Sequence, residues 1–226
     1  MMIWAQNIES EISHWRNWLT DPKMEESRKR RISSTEKLSS RTLELIGKPL
    51  GSKIRILDVG SGPISTIGRS APGYDVELVC TDALADHYNK LLKDSNLMHL
   101  PSIFPVKGED LESNFGRNAF DLVNCANALD HFEDPALAFV NMYNVCAEGG
   151  VITVLSIENE GEREGYRGLH QWNLRANDDG LWLSTKLRTE NIINRIPRTA
   201  IYSWKYVDHG QKNFNIFLIS IKKASN

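Results

Sequence analysis

The chain is sparing with the features that mark a special environment. Its three cysteines, Cys80, Cys125 and Cys146, are spread along 226 residues, and no two form a Cys-x-x-Cys pair. That pattern excludes a disulfide framework and a thiolate metal knuckle, and leaves buried, reduced thiols as the expectation. No apolar run approaches the ~18 residues of a membrane-spanning helix. The first residues, with Trp4 and early charges, lack the pattern of a signal peptide. A cytoplasmic protein without a membrane partner is expected. The formal net charge is only −2, and no basic stripe carries interleaved aromatics, which argues against a nucleic-acid partner. Histidine, cysteine and carboxylates never recur at metal-ligand spacing, so no metal is expected. There is no internal repeat and no low-complexity segment.

What is present is an alternation. Residues 3–47 read as helical, with Ile8, Ile12, Trp15 and Leu19 at helical spacing. Asp21-Pro22 punctuates this stretch, and Ser33-Ser34-Thr35-Glu36 can start a further helix that stops at Gly47-Lys48-Pro49. From Lys53 the rhythm changes. Strands are predicted at 53–58, 75–81, 102–107, 119–125 and 150–157, and helices at 64–71, 84–94 and 135–147. Such alternation implies a doubly wound α/β fold with a mostly parallel sheet. Asp134 and Pro135 supply a cap and a first-turn proline for the last of these helices. Residues 159–187 are rich in Gly, Asn and charge, and read as a long insertion after the fifth strand. Two closing strands, 199–207 and 214–222, read as an antiparallel hairpin around 208–213. The expected division is 1–49 as a helical lid or extension, and 50–226 as the main domain.

The chemistry gathers at strand ends, where ligands of open α/β sheets bind. The run Ile54-Arg55-Ile56-Leu57-Asp58-Val59-Gly60-Ser61-Gly62-Pro63 is a buried strand that breaks into a Gly-x-Gly turn. The second strand ends at Asp82, 24 residues after Asp58, where a carboxylate can accept hydrogen bonds from both hydroxyls of a ribose. Ala83 follows it. The third strand ends in Gly108-Glu109-Asp110, where a carboxylate can accept from an adenine amine. The fourth ends in Asn124-Cys125-Ala126-Asn127, followed by Ala128-Leu129-Asp130-His131. The loop has Ser65 where a nicotinamide or flavin dinucleotide site wants its third glycine, and Pro63 removes an N–H. Both argue against a pyrophosphate ligand.

Taken together, these motifs resemble those of the class I S-adenosylmethionine-dependent methyltransferases. The resemblance runs in order from about 53 to 157: Leu57-Asp58-Val59-Gly60-Ser61-Gly62-Pro63, Asp82, Gly108-Glu109, Phe120-Asp121-Leu122-Val123, Leu129-Asp130-His131, Asp134-Pro135 and Ala147-Glu148-Gly149-Gly150. It implies a seven-stranded Rossmann-like sheet with the closing hairpin reversed. It implies S-adenosyl-L-methionine as cofactor: Gly60, Ser61 and Gly62 along its methionine half, Asp58 holding its amino group through the loop, Asp82 on the ribose beside Ala83, Glu109 or Asp110 on the adenine amine, and Asn124 to Asn127, with Ala126, close to the sulfonium. Asn127-Ala128-Leu129-Asp130-His131 and Gly168-Leu169-His170-Gln171-Trp172-Asn173 also look like a bacterial subgroup associated with glycan and small-metabolite modification.

Methyl transfer from a sulfonium is an in-line displacement in which the protein aligns the partners and, for a hydroxyl acceptor, removes a proton. His170, in the insertion, and His131, just after the fourth strand, are the candidate bases. His14, His87, His99 and His209 read as surface or packing residues. Asn127, Trp172 and Glu158, with Asn159 and Glu160 beside it, are candidate acceptor contacts. The basic run Arg28 to Arg31 reads as a solvated face, with Arg31 as a possible reach toward the cofactor carboxylate. The expected function is methyl transfer to a small molecule or glycan precursor at oxygen. An RNA or protein methyltransferase and a non-catalytic scaffold of the same fold are the alternatives. The sequence does not specify an oligomeric state.

Overall fold

In the computed structural model, which describes residues 2–210 and 213–225, the alternation closes into one seven-stranded sheet. Strands β1 (Lys53–Val59), β2 (Asp75–Thr81), β3 (Ile103–Phe104), β4 (Phe120–Ala126) and β5 (Cys146–Ile157) run parallel. The far edge is the antiparallel pair β9 (Ile201–Val207) and β10 (Ile216–Lys222), giving the order β3-β2-β1-β4-β5-β10-β9. The order reverses between β1 and β4, which opens a crevice at their C-terminal ends. The doubly wound, mostly parallel sheet expected from the sequence is therefore what the chain forms. Gln211 and Lys212 of the expected hairpin loop lie outside the described residues.

Central strands are buried on both faces and are accordingly rich in Ile, Leu and Val: Ile54, Ile56, Leu57, Val59, Leu122 and Val123 are solvent-free. Helix α6 (Pro135–Val145) covers one face with Ala138, Phe139, Met142 and Val145. Its Asp134 cap accepts from Leu137 N at 3.0 Å, an interaction of a kind worth about 1 kcal/mol. Helix α4 (Ala85–Asp94) follows β2, and α5 (Leu111–Phe115) is a short turn after β3.

Four elements depart from the sequence reading. The helix expected at 64–71 does not form. Its backbone is taken instead by the N-terminal segment: Leu38 N donates to Ser70 O, and Arg69 N and Ser70 N donate to Glu36 O. Gly68 makes this crossing possible, because a Cβ there would sit 2.3 Å from the Lys37 backbone. Strand β3 is only two residues long, bracketed by Pro101 and Pro105, of which the second offers no N–H to continue the ladder. Helix α6 ends at Val145, and β5 begins at Cys146. The register slips between the Phe120–Cys146 and Leu122–Val151 pairs, so Gly149 and Gly150 lie inside an irregular strand and not before it. The insertion is not a bare loop. It holds a short helix α7 (Glu160–Arg163) and a three-stranded antiparallel sheet, β6 (Asn173–Asn177), β7 (Gly180–Ser184) and β8 (Thr189–Asn191). Leu174, Leu181, Leu183 and Ile192 of this sheet join the main core.

The N-terminal stretch is three helices: α1 (Met2–Thr20), α2 (Glu25–Ile32) and α3 (Ser40–Ile46). Ile8, Trp15, Trp18 and Leu19 of α1 pack on Ile64, Leu84 and Tyr88, so α1 lies across the crevice beside α4. Ile46 of α3 packs with Ile54, Ile56 and Leu122, on the face the missing helix would have covered. Among the described residues, no helix is long and apolar enough to cross a membrane. Cys80, Cys125 and Cys146 are buried and unpaired.

Candidate active site

A cavity of about 400 Å³ opens at the ends of β1, β2 and β4, roofed by α1 and closed on one side by the insertion. That size suits a drug-sized ligand. Two groups of side chains line it.

The first group stands on the strand-end motifs. Gly60, Ser61 and Gly62 form one wall. Gly62 has φ +60°, and a Cβ there would lie 2.7 Å from the Trp15 ring, so both the turn and the roof require glycine. Asp58 is buried below the loop. Its two oxygens accept from Ser65 Oγ and from Asn124 Nδ2, each at 2.6 Å. Burial pushes this carboxyl up, and the two hydrogen bonds hold it back toward the ionised form. Asp82 is partly buried at the rim. It accepts from Gly62 N at 3.0 Å and Leu84 N at 2.9 Å, which ties the glycine loop to the end of β2. Crowding by protein atoms strips water from it and pushes its carboxyl up to about 6, against the pull of those two bonds. Ala83, Glu109 and Ala126 also line the cavity. Glu109 accepts from Asp134 N at 2.9 Å, so one carboxylate oxygen serves the start of α6.

Arg31 completes this group. It is buried, its guanidinium lies 4.8 Å over Trp18 and 5.4 Å over Trp15, and it donates to Ile64 O. Its Nε has no hydrogen-bond partner. Burial pulls it down to about 10, which leaves it a cation at neutral pH. The rest of the basic run is engaged locally. Arg28 donates to Trp18 O and Asp21 O, Lys29 pairs with Glu25, and Arg30 pairs with Glu36.

The second group comes from two loops far apart in sequence. Asp130 and His131 sit on a single 3-10 turn after β4, and His170 sits on the insertion. Gln171 N donates to Asp130 O at 3.3 Å and Trp172 Nε1 donates to Phe132 O at 3.0 Å, which pins the loops together. His170 Nδ1 lies 2.8 Å from Asp130 Oδ2 and 3.0 Å from His131 Nε2. Burial alone would lower His170, but the bond to Asp130 and that residue's charge outweigh it and raise it. Glu160 lines the same wall, with an oxygen 4.0 Å from His170 Nδ1. Burial, then the charge of Asp130, pushes it up to about 7.

Of the residues singled out in the sequence, the cavity gathers Asp58, Gly60, Ser61, Gly62, Asp82, Ala83, Glu109, Ala126, Asn127, His131 and His170. Four others lie elsewhere. Asp110 is exposed and outside the lining, because the short turn after β3 rotates it away while Glu109 faces inward. Asn124 is beneath the floor, where it donates to Asp58 and accepts from Thr153 Oγ1 at 2.9 Å. Glu158 points to the hairpin, bonded to Asn215 Nδ2 at 2.9 Å and Tyr206 Oη at 3.3 Å. Trp172 is packed into the core with Arg188 over its ring, a wall for the loop and not for a ligand. His14, read as surface or packing, lines the cavity from α1, as do Glu11 and Trp15. The stripe Ile8, Trp15, Leu19 carried the signal for that helix face; only its destination was hidden. Ser65, the clamp on Asp58, had no signal beyond its place in the loop.

Comparison with known proteins agrees with this architecture. Residues 57–154 match the family model described as a methyltransferase domain. The 1,6-didemethyltoxoflavin-N1-methyltransferase of Burkholderia thailandensis superposes with a TM-score of 0.55 at 13% identity, over 99% of this chain and 88% of that one. The N-methyltransferase NodS from Bradyrhizobium japonicum gives 0.52 at 13% identity, over 82% and 94%. The phosphoethanolamine N-methyltransferase 2 of Haemonchus contortus gives 0.54 at 13% identity, over 82% of this chain and only 52% of that longer one. No curated protein matches the chain significantly. Residues 57–154 thus carry the methyltransferase-domain match, and the fold is that of the class I S-adenosylmethionine-dependent methyltransferases.

Proposed function

We propose that this protein transfers the methyl group of S-adenosylmethionine to a hydroxyl oxygen of a small molecule or glycan precursor, in the cytosol. The observation that carries the reading is that one cavity holds both a strand-end ligand set and a carboxylate–histidine cluster. In this reading Gly60, Ser61 and Gly62 take the methionine half and Asp58 its amino group. Arg31 takes its carboxylate, Asp82 and Ala83 the ribose, and Glu109 the adenine amine. Ala126 and Asn127 stand by the sulfonium. The acceptor then lies against His131 and His170, whose motifs, Asn127–His131 and Gly168–Asn173, define the subgroup noted above. The hydroxyl proton leaves to the Asp130–His131–His170 cluster. The oxygen lone pair forms the new C–O bond, the C–S bond breaks, and its electron pair stays on sulfur as S-adenosylhomocysteine. Residues 1–49, through α1 and Arg31, act as a lid over the cofactor.

The local pairing of Arg28, Lys29 and Arg30 argues against an RNA track at the lid. The amine chemistry named for three structural neighbours belongs to those proteins. An amine acceptor here would leave the carboxylate–histidine cluster without work, since a neutral amine needs no base before attack. The test is calorimetric titration with S-adenosylhomocysteine, followed by an acceptor screen over sugars, nucleotide sugars and matched amines. Saturable binding with transfer to hydroxyls supports the reading. Binding with transfer only to amines overturns the oxygen assignment, and binding without transfer to any acceptor favours a scaffold.

A further inference from the structure

No placement of protons gives every edge of the Asp130–His131–His170 cluster a hydrogen bond. Three lone-pair atoms form a triangle: Asp130 Oδ2 to His170 Nδ1 is 2.8 Å, His170 Nδ1 to His131 Nε2 is 3.0 Å, and His131 Nε2 to Asp130 Oδ2 is 3.4 Å. His170 Nδ1 carries at most one proton. If that proton points to Asp130, the His131 nitrogen faces the same N–H from the side, and its own lone pair faces the carboxylate. If His131 is protonated at Nε2 as well, two N–H groups meet at 3.0 Å. One proton cannot serve all three edges. Asp130 adds a second difficulty. It is solvent-free, and its other oxygen, Oδ1, has no hydrogen-bond partner. A buried carboxylate in that position lacks the compensation such groups need.

We propose that Asp130, His131 and His170 bind a divalent transition-metal ion on the acceptor wall of the cavity. Metal–nitrogen and metal–oxygen bonds of about 2.0–2.2 Å put neighbouring ligand atoms about 3 Å apart, which is the scale of this triangle. Two imidazoles and one carboxylate are a donor set for zinc, iron(II), cobalt or manganese, whereas magnesium and calcium prefer oxygen alone. The ion supplies the positive charge that Asp130 otherwise lacks. Both histidines line the cavity, so the open coordination positions face the space assigned to the acceptor, with Glu160 within reach as a further oxygen ligand. The loops are held for this by the Gln171–Asp130 and Trp172–Phe132 hydrogen bonds, so the ligands need not be ordered by the ion. The absence of a metal motif in the sequence has a simple cause. The ligands come from a single 3-10 turn and from a loop some 40 residues later, and such a distance carries no spacing signature.

The inference deepens the reading above and rests on it only for where the acceptor sits. It also settles how the cluster withdraws a hydroxyl proton: through an ion that holds the oxygen and lowers its pKa, and not through a bare imidazole.

The test uses the full chain without a histidine tag, stripped with chelator and titrated with Zn2+ by calorimetry and with Co2+ by visible absorption. One equivalent per chain is expected, with cobalt bands of a nitrogen–oxygen site. His131→Ala, His170→Ala and Asp130→Ala should each weaken uptake by more than the roughly ten- to hundredfold seen when only a ligand's hydrogen-bond partner is lost. S-adenosylhomocysteine affinity should hold in the same variants, which also reports that they are folded. If Asp130→Ala does not fold, His131→Gln and His170→Gln carry the test. A wild-type protein that binds S-adenosylhomocysteine but takes up neither ion overturns the inference, as does uptake unchanged in the histidine variants. Metal uptake without any S-adenosylhomocysteine binding upholds the site and sinks the methyltransferase reading instead.

Discussion

On the β1–β2 side of the cavity, the lining is made of main chain and of carboxylates fixed by main chain. Asp82 is held by two backbone N–H groups, and Gly62 is shaped by its own φ and by the ring above it. On the β4 side, the lining is made of side chains holding one another. Asp130, His131 and His170 meet across two loops, and a fully buried carboxylate stands at their centre. The first wall is what a class of proteins with one shared cofactor can keep constant, because backbone geometry is insensitive to the rest of the sequence. On the proposed reading the second is where the acceptor is chosen, because each member depends on its neighbours. Damage should therefore read out differently on the two walls: affinity for cofactor on one, turnover on the other.

The largest effect is expected from His170→Ala. Turnover should fall by about 10²–10⁴-fold, the range when activation of the acceptor's proton is lost, while S-adenosylhomocysteine binds as before. Steady-state rates beside calorimetry check this, and a parallel loss of cofactor affinity would erase the distinction between the walls. Asp82→Ala should do the reverse, costing about 1–3 kcal/mol of cofactor affinity as charged hydrogen bonds are lost. Unchanged affinity would remove it from the ribose.

Arg31→Met sharpens the comparison within the cofactor wall. S-adenosylhomocysteine should bind more weakly by about 1–3 kcal/mol, whereas 5′-methylthioadenosine, which lacks the amino-carboxypropyl group, should be indifferent. Equal losses for both ligands would make Arg31 a support for the roof and nothing more. Acid provides a gentler probe. Burial raises Asp82 to about 6, so the carboxylate is present above that pH and protonated below it. Cofactor affinity should be flat above pH 7 and decline as pH falls through about 6, by at most tenfold per unit. Asp82→Asn should bind more weakly than wild type at pH 7 and lack that decline. The smallest effect belongs to Glu158→Gln. Glu158 serves the hairpin, so turnover should stay unchanged and stability should shift within about 0.5 kcal/mol by thermal melting.

Much of the β1–β2 wall of the cavity was legible because its elements are local. A strand, a two-glycine turn and an acidic residue one unit later occupy adjacent positions in sequence and in space. The departures share one physical origin, which is competition from distant segments. Residues 64–71 have the length of a helix, but Glu36 and Leu38 take their backbone groups. Trp172 has the look of a ligand platform, yet the insertion needs it as a core residue. Asn124 shares its face of β4 with the lining Ala126 but lies two residues deeper, where Asp58 takes its amide. Asp110 is one residue from a lining position, Glu109, and Glu158 is two from another, Glu160. The meeting of His131 with His170 depends on how an insertion with its own sheet folds back, and no local pattern encodes that.

The roof has a consequence for the life of the chain before it ever meets a substrate. Helix α1 precedes in sequence the surfaces that receive it: Trp15 and Arg31 are seated against Gly62, Ile64 and Tyr88. A nascent chain exposes the Ile8, Trp15 and Leu19 stripe to the crowded cell until more than sixty further residues have been made and paired. The roof therefore cannot settle before the β1–β2 half of the sheet has folded beneath it.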